Sequence, residues 1–144
     1  MTSLSGARGR HWNVLDAQPR HTARELKAGS IPFSPGVYAW YQGDEAIYVG
    51  KANELRRRIW RDHLGRSRGM TGSAFRRNVA DHLGIASASD IKAGVYKLSD
   101  EELSRVREFI EASDAAWLET PTSEEAIALE TALKAEWLPP LTRR

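Results

Sequence analysis

The stretch GVYAWYQGDEAIYVGKANELRRRIW, residues 36–60, decides how the chain is read. Two short segments rich in β-branched and aromatic residues, Gly36 to Tyr41 and Ala46 to Gly50, flank Gln42-Gly43-Asp44-Glu45, and this predicts a β-hairpin. Alternate residues of a strand share a face, so Tyr38 and Trp40 point one way and Val37, Ala39 and Tyr41 the other. A plain two-residue turn pairing Gln42 with Glu45 would put Tyr38 and Tyr48 on opposite faces, so a shared face requires a turn of odd length or a bulge. We expect one of these two devices. The three consecutive arginines then enter a predicted helix over about 53–64, with Leu55, Ile59 and Leu64 as its apolar stripe and Gly65 as its end.

Upstream, residues 1 to about 18 carry no sustained period and are expected to fray, while Thr22 to Ala28 is expected to form a short helix ended by Gly29. Residues 1–33 therefore read as a partly flexible N-terminal extension. Downstream, a second helix is predicted from about Ser73 to Leu83, closed by Gly84. Ser99 with Glu102 forms a capping-box pattern opening a helix to about Ala112. DAAWLE, residues 114–119, reads as a strand, and Thr122 with Glu125 opens a last helix that Pro139 and Pro140 stop. The order hairpin, helices, strand, helix predicts an α+β domain over residues 34–144. Its sheet would be small, mainly antiparallel and three-stranded, flanked by helices, with an enlarged basic helical region at about 65–100.

At 144 residues the chain is long enough for one domain that buries about two-thirds of the surface its unfolded form exposes. It contains no cysteine, which excludes disulfide frameworks and thiolate zinc sites. The sequence has no apolar run suited to a signal peptide or a membrane span, and the expectation is a soluble, cytoplasmic protein with no membrane partner. The net charge of +2 hides a strong polarity. Nine basic residues stand against two acids between Lys51 and Arg77, a net +7, whereas Asp100 to Glu136 carries a net −8. A concentrated arginine surface is the electrostatic footprint of a phosphate-bearing partner.

On the last helix Ala126, Leu129, Leu133 and Trp137 form an apolar stripe, and Glu130 falls on that stripe or at its edge. A carboxylate pressed toward a core costs several kcal/mol unless a cation receives it. Glu130 therefore calls for a partner: an arginine such as Arg58, water, or a metal ion of the kind that one or two carboxylates hold together with water and phosphate.

These elements together resemble the GIY-YIG nuclease family. Gly36-Val37-Tyr38, then Tyr48-Val49-Gly50, then Arg58 eight residues after Gly50, then Glu130 with Pro139 nine residues beyond it, stand in the family's order and at similar offsets. The run YVGKANELRRRI is especially similar to the N-terminal incision domain of the bacterial excision-repair nuclease. The resemblance implies a metal-dependent DNA endonuclease with one Mg²⁺ or Mn²⁺ ion on Glu130. It also implies that Arg58 holds the scissile phosphate and that a tyrosine orients and deprotonates water. Tyr38 is the first choice for that base, with Tyr48 completing a hydrogen-bond network. Tyrosine titrates near 10, so nearby cations, Lys51 and Arg58 among them, are needed to favour phenolate. Family members often carry histidine or tyrosine four residues after the arginine. Here Asp62 holds that position and His63 is one further, a rotation of about 100° on an α-helix. Thr142 stands where the family has asparagine.

Arg56, Arg57, Arg61, Arg66, Arg68, Arg76 and Arg77 read as DNA phosphate contacts, which position a duplex without reading its sequence. The segment Arg66 to Arg77, with Gly69, Gly72 and Ser73, could clamp a strand. The rival reading is a non-catalytic nucleic-acid-binding module that keeps the nuclease fold. The acid-x-Lys pairs Glu25-Leu26-Lys27 and Asp90-Ile91-Lys92 occur at about the frequency chance gives, and His11, His21, His63 and His82 lack the spacing of a helical zinc site. Oligomeric state is left open.

Overall fold

The computed structural model of the chain describes residues 8–64, 70 and 72–142. Its centre is the hairpin of β2, Gly36–Gln42, and β3, Glu45–Ala52. Gln42 pairs with Glu45 across a two-residue turn in which Gly43 takes φ 58°, a left-handed conformation that glycine reaches without steric cost. That turn alone would separate the tyrosines. The register shifts, however, between Trp40 and Tyr41, so that Trp40 faces Tyr48, Tyr41 faces Ala46, and Ile47 is the extra residue of a β-bulge. The bulge restores the parity and puts Tyr38, Trp40 and Tyr48 on one face, so the expected device is a bulge and not an odd turn.

Strand β4, Asp114–Glu119, pairs antiparallel with β2, Tyr38 lying opposite Trp117. The expected three strands become four: β1, His21–Thr22, adds to the far side of β4, giving the order β1-β4-β2-β3. A two-residue strand leaves no alternation to detect; it is held by pairing and by His21 stacked on Trp117 at 4.6 Å. The expected helix over 22–28 is replaced by two 3₁₀ turns, Ala23–Glu25 and Ala28–Ser30.

The sheet is covered on both faces. Val37, Ala39, Tyr41, Val49 and Ala116 pack with Trp12, Leu15 and Leu133, which come from helix α1, Arg10–Asp16, and helix α5, Ser123–Glu136. Helix α1 corrects the expectation of a frayed segment to about residue 18. Trp12 and Leu15 are fully buried, and burying two such side chains contributes about 1.5–3 kcal/mol each. Glu136 accepts the backbone N–H groups of His11 and Trp12, and the Trp12 indole donates to Leu133 O at 2.9 Å, so α5 holds both ends of the contact.

On the opposite face Tyr38, Trp40 and Tyr48 meet Leu55, Ile59, Phe75, Val79, Val106 and Ile110. These come from the arginine-bearing helix, from α2, Ala74–His82, and from α4, Asp100–Glu111. The predicted caps at Ser99 and Thr122 form, Thr122 accepting a backbone N–H of the first turn and Ser99 making the reciprocal capping box with Glu102. Ser73, read as the start of its helix, caps α2 by accepting the Arg76 N–H. A six-residue helix α3, Ala88–Ala93, capped by Ser87, falls inside the expected helical region at about 65–100, where the sequence reading placed no separate helix. Among the described residues no helix is long and apolar enough to cross a membrane.

Candidate active site

The arginine-bearing helix begins with α-type bonding, the Arg58 N–H donating to Glu54 O at 3.1 Å. Over Arg57–His63 it is a π-helix, and the Leu64 N–H donates to Ile59 O, five residues back, at 3.1 Å. This wider turn absorbs one residue. The rotation an α-helix would impose on His63 is cancelled, and His63 comes round to the sheet face, 2 % exposed, with Nε2 at 2.7 Å from the Tyr38 hydroxyl. Its Nδ1 lies 2.6 Å from Ser73 Oγ, the residue that caps α2. Asp62, occupying the family's helper position in sequence, pairs instead with Arg58, Nη1 to Oδ2 at 3.3 Å.

Tyr38 is 2 % exposed and Tyr48 8 %, with ring centroids 6.3 Å apart. Tyr38 lies across Gly50: a Cβ there would sit 2.6 Å from Tyr38 Cζ, so only glycine leaves room for the ring. A side-chain hydrogen bond between the two tyrosines raises Tyr38 and lowers Tyr48, the signs that a bond donated by Tyr38 gives. Burial pushes Tyr38 well above the ordinary tyrosine value; the charges of Tyr48 and Glu130 act in the same sense and Arg58 opposes them. Burial also raises Tyr48, followed by the Glu130 carboxylate, but here Arg58, the Tyr38 hydrogen bond and Arg77 all pull the other way. His63 is pushed well below its usual value by burial and then by Arg58 and Arg76, so its imidazole is neutral.

Glu130 thus acts electrostatically on both phenols together with Arg58, and the fold brings Tyr38, Tyr48, Arg58, His63 and Glu130 into one locus. Its side chain is 14 % exposed and its cationic partner is Lys134, Nζ at 3.6 Å one turn along α5, not Arg58. The fold also braces this locus at the outer edge of β3. Leu141 N–H donates to the bulged Ile47 O at 2.8 Å, and Thr142 Oγ1 accepts the Val49 N–H at 2.9 Å. A threonine hydroxyl therefore ties down the backbone between Tyr48 and Gly50.

The remaining predicted residues divide. Arg58 lines a cleft of about 330 Å³ with Ala52, Asn53, Glu54, Arg57 and Asp62. Lys51, Arg57 and Arg61 are exposed near it in the chain, and half-buried Arg56 stacks on Phe33 at 3.7 Å and donates to Ile31 O. Arg66 and Arg68 lie outside the described residues, as do residues 67, 69 and 71 of the expected clamp. Arg76 and Arg77 correct the expectation of phosphate contacts: they are 3 % and 8 % exposed, and Arg77 donates to Met70 O at 3.0 Å. Their guanidinium groups face inward because α2 lies against the sheet, and Arg77 reaches the neighbourhood of Tyr48. Sequence reading missed this inward charge, and it missed Ser73 as a side-chain partner of His63; the N-cap pattern at Ser73 was the only available signal.

Comparison with known families gives a match to the GIY-YIG catalytic domain over residues 24–144. The chain belongs to the GIY-YIG family. The GIY-YIG match reaches back to residue 24 and so takes in part of what reads from sequence as an extension. Among curated proteins the chain is 32% identical over 114 residues to UvrABC system protein C of Solibacter usitatus, covering 78% of this chain and 13% of that protein. It is 55% identical over 29 residues to UvrABC system protein C of Thermus thermophilus, covering 20% of this chain and 5% of that protein. The GIY-YIG chain thus spans a small fraction of the length of these relatives. No solved structure matches it significantly.

Proposed function

We propose that this protein is a DNA endonuclease that hydrolyses phosphodiester bonds with one divalent cation held by Glu130. The observation that carries the reading is the environment of Tyr48. It receives the Tyr38 hydrogen bond, has Arg58 and Arg77 as cationic neighbours, and shares the locus with the Glu130 carboxylate. Burial and Glu130 leave Tyr48 raised on balance, but three neighbours favour its phenolate, the Tyr38 hydrogen bond, Arg58 and Arg77, whereas Tyr38 has Arg58 alone against two anions. The sequence assignment of the two tyrosines is therefore exchanged: Tyr48 is the general base and Tyr38 its hydrogen-bond donor.

Arg58 binds the scissile phosphate. Of its five N–H donors the Asp62 pair engages Nη1, leaving the rest of the planar fork for phosphate oxygens, where charge grows in the transition state. Arg57, Arg61, Arg56 and Lys51 supply positioning contacts to the DNA backbone. The donor set suits Mg²⁺ or Mn²⁺. Among the described residues there is no group of three or more acidic or histidine ligands, but such an ion needs only one or two carboxylates when waters and substrate phosphate complete its shell. When bound, the ion supplies Lewis-acid stabilisation of the phosphate and of the leaving oxygen. The absence of cysteine fits a reducing, cytoplasmic setting.

One observation favours a second reading. Glu130 already has Lys134 as a partner, so its burial is satisfied with no metal, as a non-catalytic nucleic-acid-binding module would require. Incubation with supercoiled plasmid separates the two. The nuclease reading predicts nicking with Mg²⁺ or Mn²⁺ that a chelator stops. Binding to the plasmid with no strand scission under either metal would select the module.

A further inference from the structure

Ser73, His63, Tyr38 and Tyr48 form a continuous line from the N-terminus of α2 to the reacting end of the site. Counting protons along it fixes its direction. Ser73 Oγ accepts the Arg76 backbone N–H at 3.1 Å, the cap of the helix, and the other contact of this hydroxyl among the described residues is His63 Nδ1 at 2.6 Å. A hydroxyl has one proton to give, and here the ring nitrogen is the acceptor in reach. A neutral imidazole has one bare nitrogen and one N–H. If Nδ1 accepts from Ser73, Nε2 carries the proton and donates to the Tyr38 oxygen at 2.7 Å. The Tyr38–Tyr48 bond is compatible with this direction, since Tyr38 can give its proton to Tyr48 while it accepts from His63. Ser73 therefore selects the tautomer in which the whole line runs one way.

We propose that Ser73 is a positioning residue that locks His63 as the Nε2–H tautomer, so that every donor from the helix cap to Tyr38 points toward Tyr48. This rests on the nuclease reading for its purpose but not for its geometry. A reversed line, with Tyr38 donating to Nε2 and Nδ1–H donating to Ser73, would leave Tyr48 without the Tyr38 proton and Ser73 with an idle one. The charged groups around the line are Arg58 from the π-helix, Arg76 and Arg77 from α2, Glu130 from α5, and Arg107 and Glu111 of α4, which line a small cavity beside His63.

The test is a long-range ¹H–¹⁵N spectrum of the imidazole nitrogens in the full ¹⁵N-labelled chain, with His63 assigned by its loss in His63→Gln. The expected wild-type result is a protonated Nε2 and a bare Nδ1. A protonated Nδ1, or an imidazolium at neutral pH, overturns the proposal. Ser73→Ala is expected to mix the tautomers and to lower kcat about fivefold with KM unchanged, the loss typical of one neutral hydrogen bond. Ser73→Thr, which keeps hydroxyl and cap, should restore both. An unchanged tautomer in Ser73→Ala would also overturn it. The wild-type spectrum decides the matter even if Ser73→Ala fails to fold. Failure of the nuclease reading would appear separately, as absent cleavage with the tautomer intact.

Discussion

Tyr38→Phe isolates one hydroxyl and leaves the ring. In the folded protein that oxygen shares a hydrogen bond with His63 Nε2 at 2.7 Å and, in the proposed arrangement, gives its proton to Tyr48, and the ring lies over Gly50 with almost no solvent contact. Two costs follow. A buried ring nitrogen loses its partner, which destabilises by about 1–3 kcal/mol and lowers Tm by several degrees in a domain of this size. The Tyr48 phenolate loses a hydrogen bond to a charged acceptor, worth about 1.5–3 kcal/mol, so its pKa rises and the rate at fixed pH falls by about 10- to 150-fold. The assay is single-turnover nicking of supercoiled plasmid with saturating Mg²⁺, wild type and variant side by side, with DNA affinity measured on the same substrate. The rate loss should come without an affinity loss, because a residue 2 % exposed cannot touch the duplex. A variant that cuts within twofold of wild type would refute the argument that Tyr38 supports the charge on Tyr48.

Other predictions follow from the same geometry. Gly50→Ala would drive a methyl group into the Tyr38 ring, and cleavage should fall at least tenfold while circular dichroism stays native; normal turnover would show that the ring has room to move. Lys134→Gln removes the cation that competes for Glu130, so half-maximal cleavage should need less Mg²⁺, and a higher requirement would count against Glu130 as the ligand. Stability should show two pH limbs. His63 is depressed in the folded state, so its contribution is complete above the unfolded value of about 6.5 and is lost as pH falls through the folded value. Tyr38, Tyr41 and Tyr48 are raised, so their contribution is complete below about 10 and is lost as pH rises through their folded values. Thermal unfolding from pH 5 to 11 should give a plateau between these limbs, and His63→Gln should flatten the acid limb alone.

Much of the site is legible in the sequence because its parts are local. The hairpin announces itself by aromatic and β-branched residues around a glycine turn, and a shared face for Tyr38 and Tyr48 demands an irregularity on parity alone. The caps at Ser99 and Thr122 rest on side-chain chemistry that the sequence states directly. What escaped depends on distant partners. Helix α1 is too short and too polar to show a period, and only Leu133, Glu136 and Trp137 at the other end of the chain explain why Trp12 is buried. Strand β1 has two residues and exists because β4 has a free edge. The π-turn is invisible to a 3.6-residue period, so His63 looks misplaced by one position in the sequence although the backbone absorbs the difference. Arg76 and Arg77 resemble their exposed neighbours in composition, and only the packing of α2 on the sheet turns them inward.

The most direct measurement is single-turnover plasmid cleavage by Glu130→Gln in Mg²⁺, with binding to the same plasmid recorded in parallel. Amide for carboxylate keeps shape and removes the charge that would hold the cation. The account predicts cleavage reduced by at least about 10²-fold, the scale on which loss of an electrostatic stabiliser acts, with DNA affinity within about threefold of wild type. Undiminished cleavage by Glu130→Gln would contradict it.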